Sequence, residues 1–191
     1  MTEKKYKHTP CVLCIIEDPA THQLLMVKNL RGMNKGFCNF PGGKMDYGES
    51  IKTALYREIK EETGLKLKRA KYIGRIDIIP DDELKIKRHQ KDVQVYVFYS
   101  NDYSGDIQAK PGEVELMWVN RDEIPYDKMR DNDKLWVTEV MQGKVVHMAF
   151  FRNTQGELVE AKKYHLLKKA AIGLRFPQYK IIERCKKAPQ I

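Results

Sequence analysis

The sequence predicts a single α/β or α+β domain in which a mixed β-sheet is packed against helices. Several short apolar runs with strand character alternate with turn residues, and two other segments repeat apolar residues with the period of a helix. A length of 191 residues is sufficient for one domain with a sizeable core. Hydrophobic residues make up 42% of the chain and charged residues 32%, as in ordinary soluble proteins.

Seven segments have the composition of β-strands, and clusters of turn residues separate most of them. They are residues 9–17, 23–28, 70–79, 92–100, 114–119, 145–152 and 158–164. The last two are predicted to close a hairpin around residues 153–156. The charged segment 80–91 is predicted to be a loop or the end of a hairpin.

Two helices are predicted. The first follows Ser50, which can cap the first turn, and it ends at Gly64, where a left-handed residue is expected. Its apolar stripe is Ala54, Leu55 and Ile59. The second covers residues 131–142, with an apolar face at i, i+1, i+4 and i+5. That face consists of Trp136, Val137, Val140 and Met141, with Leu135 at its margin.

Three glutamates of the first helix lie where apolar residues are expected. Glu58 and Glu62 fall inside the apolar stripe and Glu61 falls at its edge, while Thr63 falls on the opposite, solvent-like side. Carboxylates are rarely buried unless they are paired or bind metal. The arrangement therefore favours a site for Mg²⁺, with Mn²⁺ as a substitute. The alternative is a charged surface helix whose glutamate spacing is incidental.

The residues before this helix strengthen the metal interpretation. Gly42 and Gly43 are predicted to form a flexible turn that lets the backbone approach a ligand. Gly43, then Glu49, then residues 57–65 (REIKEETGL) carry every fixed position of a Nudix box, so the chain resembles the Nudix hydrolase family. The resemblance covers roughly residues 7–160 and implies an α/β/α sandwich with a mixed central sheet. We therefore expect a Nudix domain over residues 1–160.

The resemblance also implies roles for individual residues. Glu58 and Glu62 correspond to the principal metal ligands, Glu61 to a further or water-mediated ligand, and the carbonyl of Gly42 to a backbone ligand. Arg57 corresponds to the residue that orients the glutamates, although its spacing to Glu61 also suits an ordinary helical ion pair. Relatives recruit a glutamate from a later loop as metal ligand or general base. The best match is Glu113, with Glu115 as the fallback.

Substrate choice must come from residues outside the box. The segment 37–44 resembles the approach to the box in MutT-type enzymes that act on oxidised purine nucleoside triphosphates, in which an asparagine at the position of Asn39 hydrogen-bonds the purine. Two adjacent acids that read the base edge in animal relatives correspond to Asn132 and Asp133, so only the second acid is retained. Arg130 replaces an aromatic residue that stacks on the base. Lys44 stands where a phosphate-facing cation would be useful.

These features together predict a Mg²⁺-dependent Nudix enzyme. The expected reaction converts an oxidised purine nucleoside triphosphate, such as 8-oxo-dGTP, to the monophosphate and pyrophosphate. One alternative keeps the chemistry but changes the substrate to ADP-ribose, a dinucleotide polyphosphate or an RNA 5′-triphosphate end. A second alternative is a nucleotide-binding module without turnover.

The last 31 residues hold most of the net positive charge. Residues 161–191 contain nine Lys or Arg and one acid, so they carry +8 of the total +9. We expect a basic C-terminal extension over residues 161–191, with a short amphipathic helix at 165–172 packed on the domain. A weaker alternative is electrostatic contact with nucleic acid through this extension.

The remaining features suggest a cytoplasmic protein without a membrane span. No apolar run approaches the roughly 18 residues that a span needs, and the N-terminus lacks a secretion signal. Cys11 and Cys14 have CxxC spacing but lie in an apolar strand, so core packing is favoured over zinc or redox chemistry. A monomer is expected, with a dimer as the alternative.

Overall fold

One mixed sheet runs through the molecule and carries helices on both faces. The computed structural model describes residues 8–88, 90–166 and 179–186. The strands are β1 His8–Glu17, β2 Leu24–Asn29, β3 Cys38–Asn39, β4 Gly42–Lys44, β5 Lys66–Pro80, β6 Asp92–Ser104, β7 Val114–Val119, β8 Val146–Arg152, β9 Leu158–Leu166 and β10 Tyr179–Lys186. The helices are α1 Ile51–Thr63, α2 Asp82–Arg88 and α3 Asp131–Met141, and three single turns of 3₁₀ helix lie at residues 32–34, 121–123 and 126–128.

The strand order within the described residues is β10-β9-β8-β5-β6-β1-β2-β3. The pairs β1–β6 and β5–β8 are parallel, and the other pairs are antiparallel. The short strand β4 pairs with β1, and β7 pairs with β2. The predicted mixed sheet is confirmed, and all seven predicted strands are present, β7 with the predicted bounds and the other six with shifted ends.

Alternation along β1 distributes its side chains between two cores. Val12, Cys14 and Ile16 pack in the cluster that contains the buried face of α1, whereas Ile15 packs in the cluster that contains Trp136 of α3. Residues of opposite parity therefore bury against different helices. The predicted α/β/α sandwich is confirmed.

The charged segment after β5 forms a helix, so the prediction of a loop at residues 80–91 is wrong for residues 82–88. Asp82 and Glu83 lie in the first turn of α2, where the partial positive charge of a helix N-terminus stabilises acids. Lys85 contacts Asp92 at 2.9 Å and so ties α2 to the start of β6. The high charge of this segment hides any apolar period.

The C-terminal region extends the sheet. The predicted hairpin of β8 and β9 is confirmed, and β9 continues through residue 160 to pair with β10. The helix predicted at 165–172 is wrong for its first two residues, because β9 ends at Leu166. Residues 167–172 lie outside the described residues.

Two smaller expectations concern the cysteines and the membrane. Cys14 and Cys38 are buried among apolar side chains, and burial raises the pKa of the Cys11 thiol to about 11. Cys11, Cys14 and Cys38 are free thiols, as expected for core packing. Among the described residues, no helix is both long enough and apolar enough to span a membrane.

Candidate active site

Helix α1 is held at both ends by the residues that the sequence indicated. The Ser50 side chain accepts a hydrogen bond from the backbone N–H of Thr53 at 3.1 Å, and Gly64 ends the helix at φ +78°. Ala54, Leu55 and Ile59 are fully buried, which confirms the predicted stripe. These contacts fix the rotation of α1 and therefore the direction in which its glutamates project.

Arg57 connects the acidic residues of the box. Its guanidinium donates two hydrogen bonds to Glu49, at 2.8 and 3.0 Å, and one to the carbonyl oxygen of Lys44 at 3.1 Å. It also donates to Glu58 at 2.9 Å and to Glu61 at 3.4 Å. Arg57 therefore does more than pair with Glu61 along the helix. It ties α1 to the segment after β4.

Glu49 is a site residue that the sequence-based assignment of roles left out. Its two carboxylate oxygens accept the fork of the Arg57 side chain, and this pairing lowers the pKa of Glu49. Its side chain is only 9% exposed. Its fixed position in the Nudix box is the sequence signal that could have identified Glu49 as a site residue.

Gly43 lies directly against the carboxylate of Glu58. The two glycines belong to β4, in register with Val12 and Leu13 of β1, so the prediction of a flexible turn is wrong. A Cβ on Gly43 would overlap the Glu58 carboxylate, and one on Gly42 would overlap the carbonyl oxygen of Val12. Glycine is therefore needed here for close approach of backbone and carboxylate, as well as for backbone freedom.

Glu62 lies one turn further along α1 and contacts the other glycine. Its Oε2 accepts a hydrogen bond from the backbone N–H of Gly42 at 2.8 Å. Burial, together with the nearby charges of Glu58 and Glu113, raises the pKa of Glu62 to about 7. Burial also raises the pKa of Glu58. Both carboxylates are thus partly withdrawn from water on one face of α1.

The exposure of Glu61 agrees with its predicted position on α1, whereas that of Thr63 does not. The Glu61 side chain is 51% exposed, which agrees with its predicted place at the edge of the stripe. Thr63 is fully buried, so its predicted solvent-facing position is wrong. Its hydroxyl donates to the carbonyl oxygen of Ile59 at 2.6 Å and accepts from the N–H of Leu65, which satisfies the buried polar group.

Glu113 lies in the turn before β7 and is held by two cations. It contacts Arg31 at 2.5 Å and Lys110 at 3.1 Å, and its backbone carbonyl oxygen accepts from the N–H of Leu30. Lys110 and Arg31 lower the pKa of Glu113. A general base works best with a pKa near the working pH, so the lowered pKa of Glu113 does not favour that role. Sequence reasoning did not find Arg31 or Lys110.

The donor set suits a hard divalent cation although it is not preassembled. Within the described ranges, no three His, Cys, Asp or Glu side chains converge as a metal site. Instead, Glu58 and Glu61 are paired with Arg57, and Glu62 with Gly42. Half-buried carboxylates whose pKa is raised by burial and by one another are nevertheless the groups that a cation stabilises.

The base-reading candidates form a second cluster, at the start of α3. Asp133 is buried, and its Oδ1 accepts from Asn132 at 2.7 Å and from the indole N–H of Trp136 at 2.8 Å. Its Oδ2 accepts from the Asn39 amide at 3.3 Å. Burial raises the pKa of Asp133 to about 6. The fold thus brings Asn39 and Asp133 together from strand β3 and helix α3.

Arg130 does not hold the position of a free base-stacking group. Its guanidinium lies over the ring of Phe37, with 4.1 Å from Cζ to the ring centroid. It donates to the carbonyl oxygen of Met33 at 2.6 Å and to the side chain of Asn34 at 3.0 Å. Lys44 is exposed and directly follows Gly43 in β4.

A fold of this topology with a glutamate helix against a glycine strand defines a Nudix protein. The family model described as the NUDIX domain matches residues 7–140, and the chain belongs to the Nudix family. It is a Nudix hydrolase. Members of this family generally use divalent metals.

Two curated relatives and one solved structure show what the chain is similar to. The chain is 33% identical over 134 residues to the "Oxidized purine nucleoside triphosphate hydrolase" of Danio rerio, and the alignment covers 69% of this chain and 79% of the relative. It is 31% identical over 87 residues to the "8-oxo-dGTP diphosphatase" of Buchnera aphidicola, covering 46% and 58%. A crystal structure of the MutT protein from Bacillus halodurans superposes with a TM-score of 0.69 at 27% identity, covering 81% of this chain and 97% of that one.

Proposed function

We propose that this Nudix hydrolase converts an oxidised purine nucleoside triphosphate, such as 8-oxo-dGTP, and water to the nucleoside monophosphate and pyrophosphate, with Mg²⁺ as cofactor. The observation that carries the proposal is the contact between Asn39 and Asp133. Asn39 lies three residues before Gly42 in the chain. Three residues of extended chain span at most about 10 Å. A single nucleotide can therefore reach from this amide–carboxylate pair to the carboxylates beside β4.

The pair has hydrogen-bonding groups available for a purine edge. Trp136 and Asn132 hold Oδ1 of Asp133, whereas Oδ2 accepts only from Asn39 among the described residues. The side-chain oxygen Oδ1 of Asn39 accepts from the backbone N–H of Phe40 at 2.7 Å, which fixes the orientation of the amide. The second amide hydrogen of Asn39 can then read an acceptor on the base, and the second lone pair of Asp133 Oδ2 can read a donor.

Five groups would hold the metal at the phosphate end of the site: the carboxylates of Glu58, Glu61, Glu62 and Glu113 and the carbonyl of Gly42. When bound, Mg²⁺ offsets phosphate charge and lowers the pKa of its water. Arg57 fixes Glu58 and Glu61 relative to the segment after β4. Lys44, Arg31 and Lys110 supply positive charge around this end and attract the triphosphate.

The test is pyrophosphate release with Mg²⁺ across a panel of 8-oxo-dGTP, 2-oxo-dATP, dGTP and dATP, with product analysis of ADP-ribose alongside. We expect kcat/KM for 8-oxo-dGTP to exceed that for dGTP by at least tenfold. Equal rates on the four triphosphates would contradict the substrate assignment, as would a clear preference for ADP-ribose. Either result would leave the Nudix chemistry unaffected.

A further inference from the structure

The loop between β2 and β3, residues 30–36, runs beside both ends of the proposed nucleotide site. At its start, the N–H of Leu30 donates to the carbonyl oxygen of Glu113 at 2.9 Å, and Arg31 contacts the Glu113 carboxylate. At its end, Gly36 donates to the carbonyl oxygen of Asn29 at 2.7 Å. We call residues 30–36 the β2–β3 loop. It connects β2 to β3, the strand that carries Asn39, and its own residues Leu30 and Arg31 contact Glu113.

Apart from hydrogen bonds among residues 29–37 themselves, the middle of this loop has one polar attachment within the described part of the chain, and Arg130 provides it. Residues 31–36 are all exposed, and the Met33 side chain is 93% exposed, so burial contributes little to holding the loop. Arg130 donates to the carbonyl oxygen of Met33 and to the Asn34 side chain from the same terminal nitrogen. Its planar group also covers Phe37, the residue that follows the loop.

Arg130 is itself fixed by the base-reading cluster. It is the N-cap residue of α3, and its carbonyl oxygen accepts from the backbone N–H of Asp133 at 2.9 Å. Asp133 in turn contacts Asn39, which lies two residues after Phe37. The contacts therefore form a closed ring: Arg130 to the loop and Phe37, the strand β3 to Asn39, and Asn39 through Asp133 back to Arg130.

We propose that Arg130 is a specificity-determining positioning residue, which fixes the β2–β3 loop and Phe37 against α3 and so sets the geometry of Asn39 and Asp133 toward the base. This inference rests on the proposed function in one respect, namely that Asn39 and Asp133 read the base. The guanidinium acts by holding these elements together. A lysine cannot reproduce either the stacking on Phe37 or the planar donor geometry.

The first experiment compares steady-state kinetics of Arg130→Ala and Arg130→Lys with the wild type on 8-oxo-dGTP and dGTP. We expect both variants to raise KM for the preferred nucleotide at least tenfold, with a smaller change in kcat, and to reduce the kcat/KM ratio between the two nucleotides at least fivefold. A rise in KM at a nearly constant kcat indicates that the variant has lost binding energy common to the ground state and the transition state. Lys134→Ala removes a neighbouring positive charge on α3 and should leave both the ratio and KM within twofold of wild type.

The second experiment does not depend on the substrate. Hydrogen exchange of the backbone amides of residues 32–37 should be at least tenfold faster in Arg130→Ala than in wild type. Phe37→Ala should accelerate this exchange less in the Arg130→Ala background than it does in the wild-type background, because the two side chains act together. Wild-type exchange in Arg130→Ala would overturn the proposal. So would a fall in kcat at constant KM, or wild-type behaviour of Arg130→Lys. If the wild type does not prefer 8-oxo-dGTP, the proposed function fails, and the exchange data with KM for the best nucleotide still decide the role of Arg130.

Discussion

Arg57 and the residues around it show how few side chains organise the acidic site. The guanidinium contacts Glu49, Glu58 and Glu61 together with the backbone of Lys44. Each contact involves at least one charged partner, and such hydrogen bonds are stronger than neutral ones. These three carboxylates, one before α1 and two on it, would otherwise repel one another, so Arg57 stabilises their closeness in the folded protein.

Replacing Glu58 with glutamine tests the carboxylate chemistry. Glu58→Gln keeps the size of the side chain but removes the charge that a cation would neutralise. We expect kcat to fall by about 10³-fold while nucleotide binding by calorimetry stays within a fewfold of wild type. The matched control is Glu123→Gln, which removes an exposed carboxylate that accepts a hydrogen bond from the Asn120 side chain at 2.8 Å. Unchanged turnover in Glu58→Gln would show that the metal assignment is wrong.

The Arg57–Glu49 pair is expected to act as one unit. Arg57→Lys loses the planar fork that meets both oxygens of Glu49, and Glu49→Gln loses the charge on the other side of the contact. Each single variant should lower kcat about 10- to 100-fold, and the double variant should lower it little further, since coupled groups are not additive. Arg69→Lys, at an exposed ion pair with Asp102, is the control. Additive losses would argue against a shared role.

At the scale of elements, the site depends on the close packing of β4 against α1. Gly43→Ala introduces a methyl group where the Glu58 carboxylate lies, so this carboxylate must move. We expect kcat to fall at least tenfold in an otherwise folded protein, as checked by circular dichroism and turnover. Gly143→Ala, after α3, is the comparison: its positive φ (+79°) disfavours a side chain but its surroundings are open, whereas Gly43 has no positive φ and lacks only space. Equal activity of Gly43→Ala and wild type would refute the close-approach argument.

Strand β8 carries a buried histidine that should make folding stability depend on pH. Burial and the neighbouring charge of Arg75 lower the pKa of His147 to about 4 from 6.5. Below about pH 6.5 the histidine is protonated in the unfolded chain but stays neutral in the folded protein. The free energy of unfolding therefore decreases as the pH falls from about 6.5 toward 4. Between pH 6.5 and 5 this amounts to about 2 kcal/mol.

The comparison that isolates this histidine is His147→Gln against wild type. Urea unfolding at pH 7 and pH 5 should show a smaller loss of unfolding free energy in the variant, because glutamine does not titrate. The other ionisable groups are common to both proteins and cancel in the difference. An equal pH dependence in both proteins would exclude His147 as its source.

At the scale of the whole molecule, the C-terminal strands decide where the folded unit ends. β9 buries Ala161, pairs along β8, and contacts α3 through the ion pair of Lys163 and Glu139. A chain that stops at residue 157 should melt at least about 10 °C below the full chain, since it loses the strands β9 and β10 of the sheet. A chain that stops at residue 166 retains β9 and should keep its activity.

The same truncations test the basic extension. Residues 167–191 contain seven Lys or Arg. If these residues bind nucleic acid, salt-sensitive binding to a single-stranded oligonucleotide should be present in the full chain and absent from the chain that stops at 166. Binding that survives this truncation would assign the contact to the domain. A wild-type melting temperature for the chain that stops at 157 would show that residues 158–191 are a dispensable extension.

The sequence by itself determined the elements whose pattern is local. Helix α1 was predictable because its stripe, its serine cap and its terminal glycine lie within one continuous segment. The strands β1, β2, β6 and β7 were predictable because their runs are short, rich in β-branched and aromatic residues, and mostly bounded by turn residues. The Nudix box was also predictable from the sequence, because its residues lie in one continuous segment that forms a glycine strand and a helix. These residues are Gly43, Glu49, Arg57, Glu58 and Glu62.

Tertiary structure decided the properties that depend on contacts between distant segments. The order of the strands, the parallel pairing of β5 with β8, and the helical state of residues 82–88 have no local signature in this sequence. The meeting of Asn39 with Asp133 joins residues 94 positions apart. The cations on Glu113 and the Arg130 contact to Phe37 likewise exist only once β2, β7 and α3 are packed together. Local periodicity records which face of an element is apolar, whereas the partners of a polar side chain depend on what the fold places beside it.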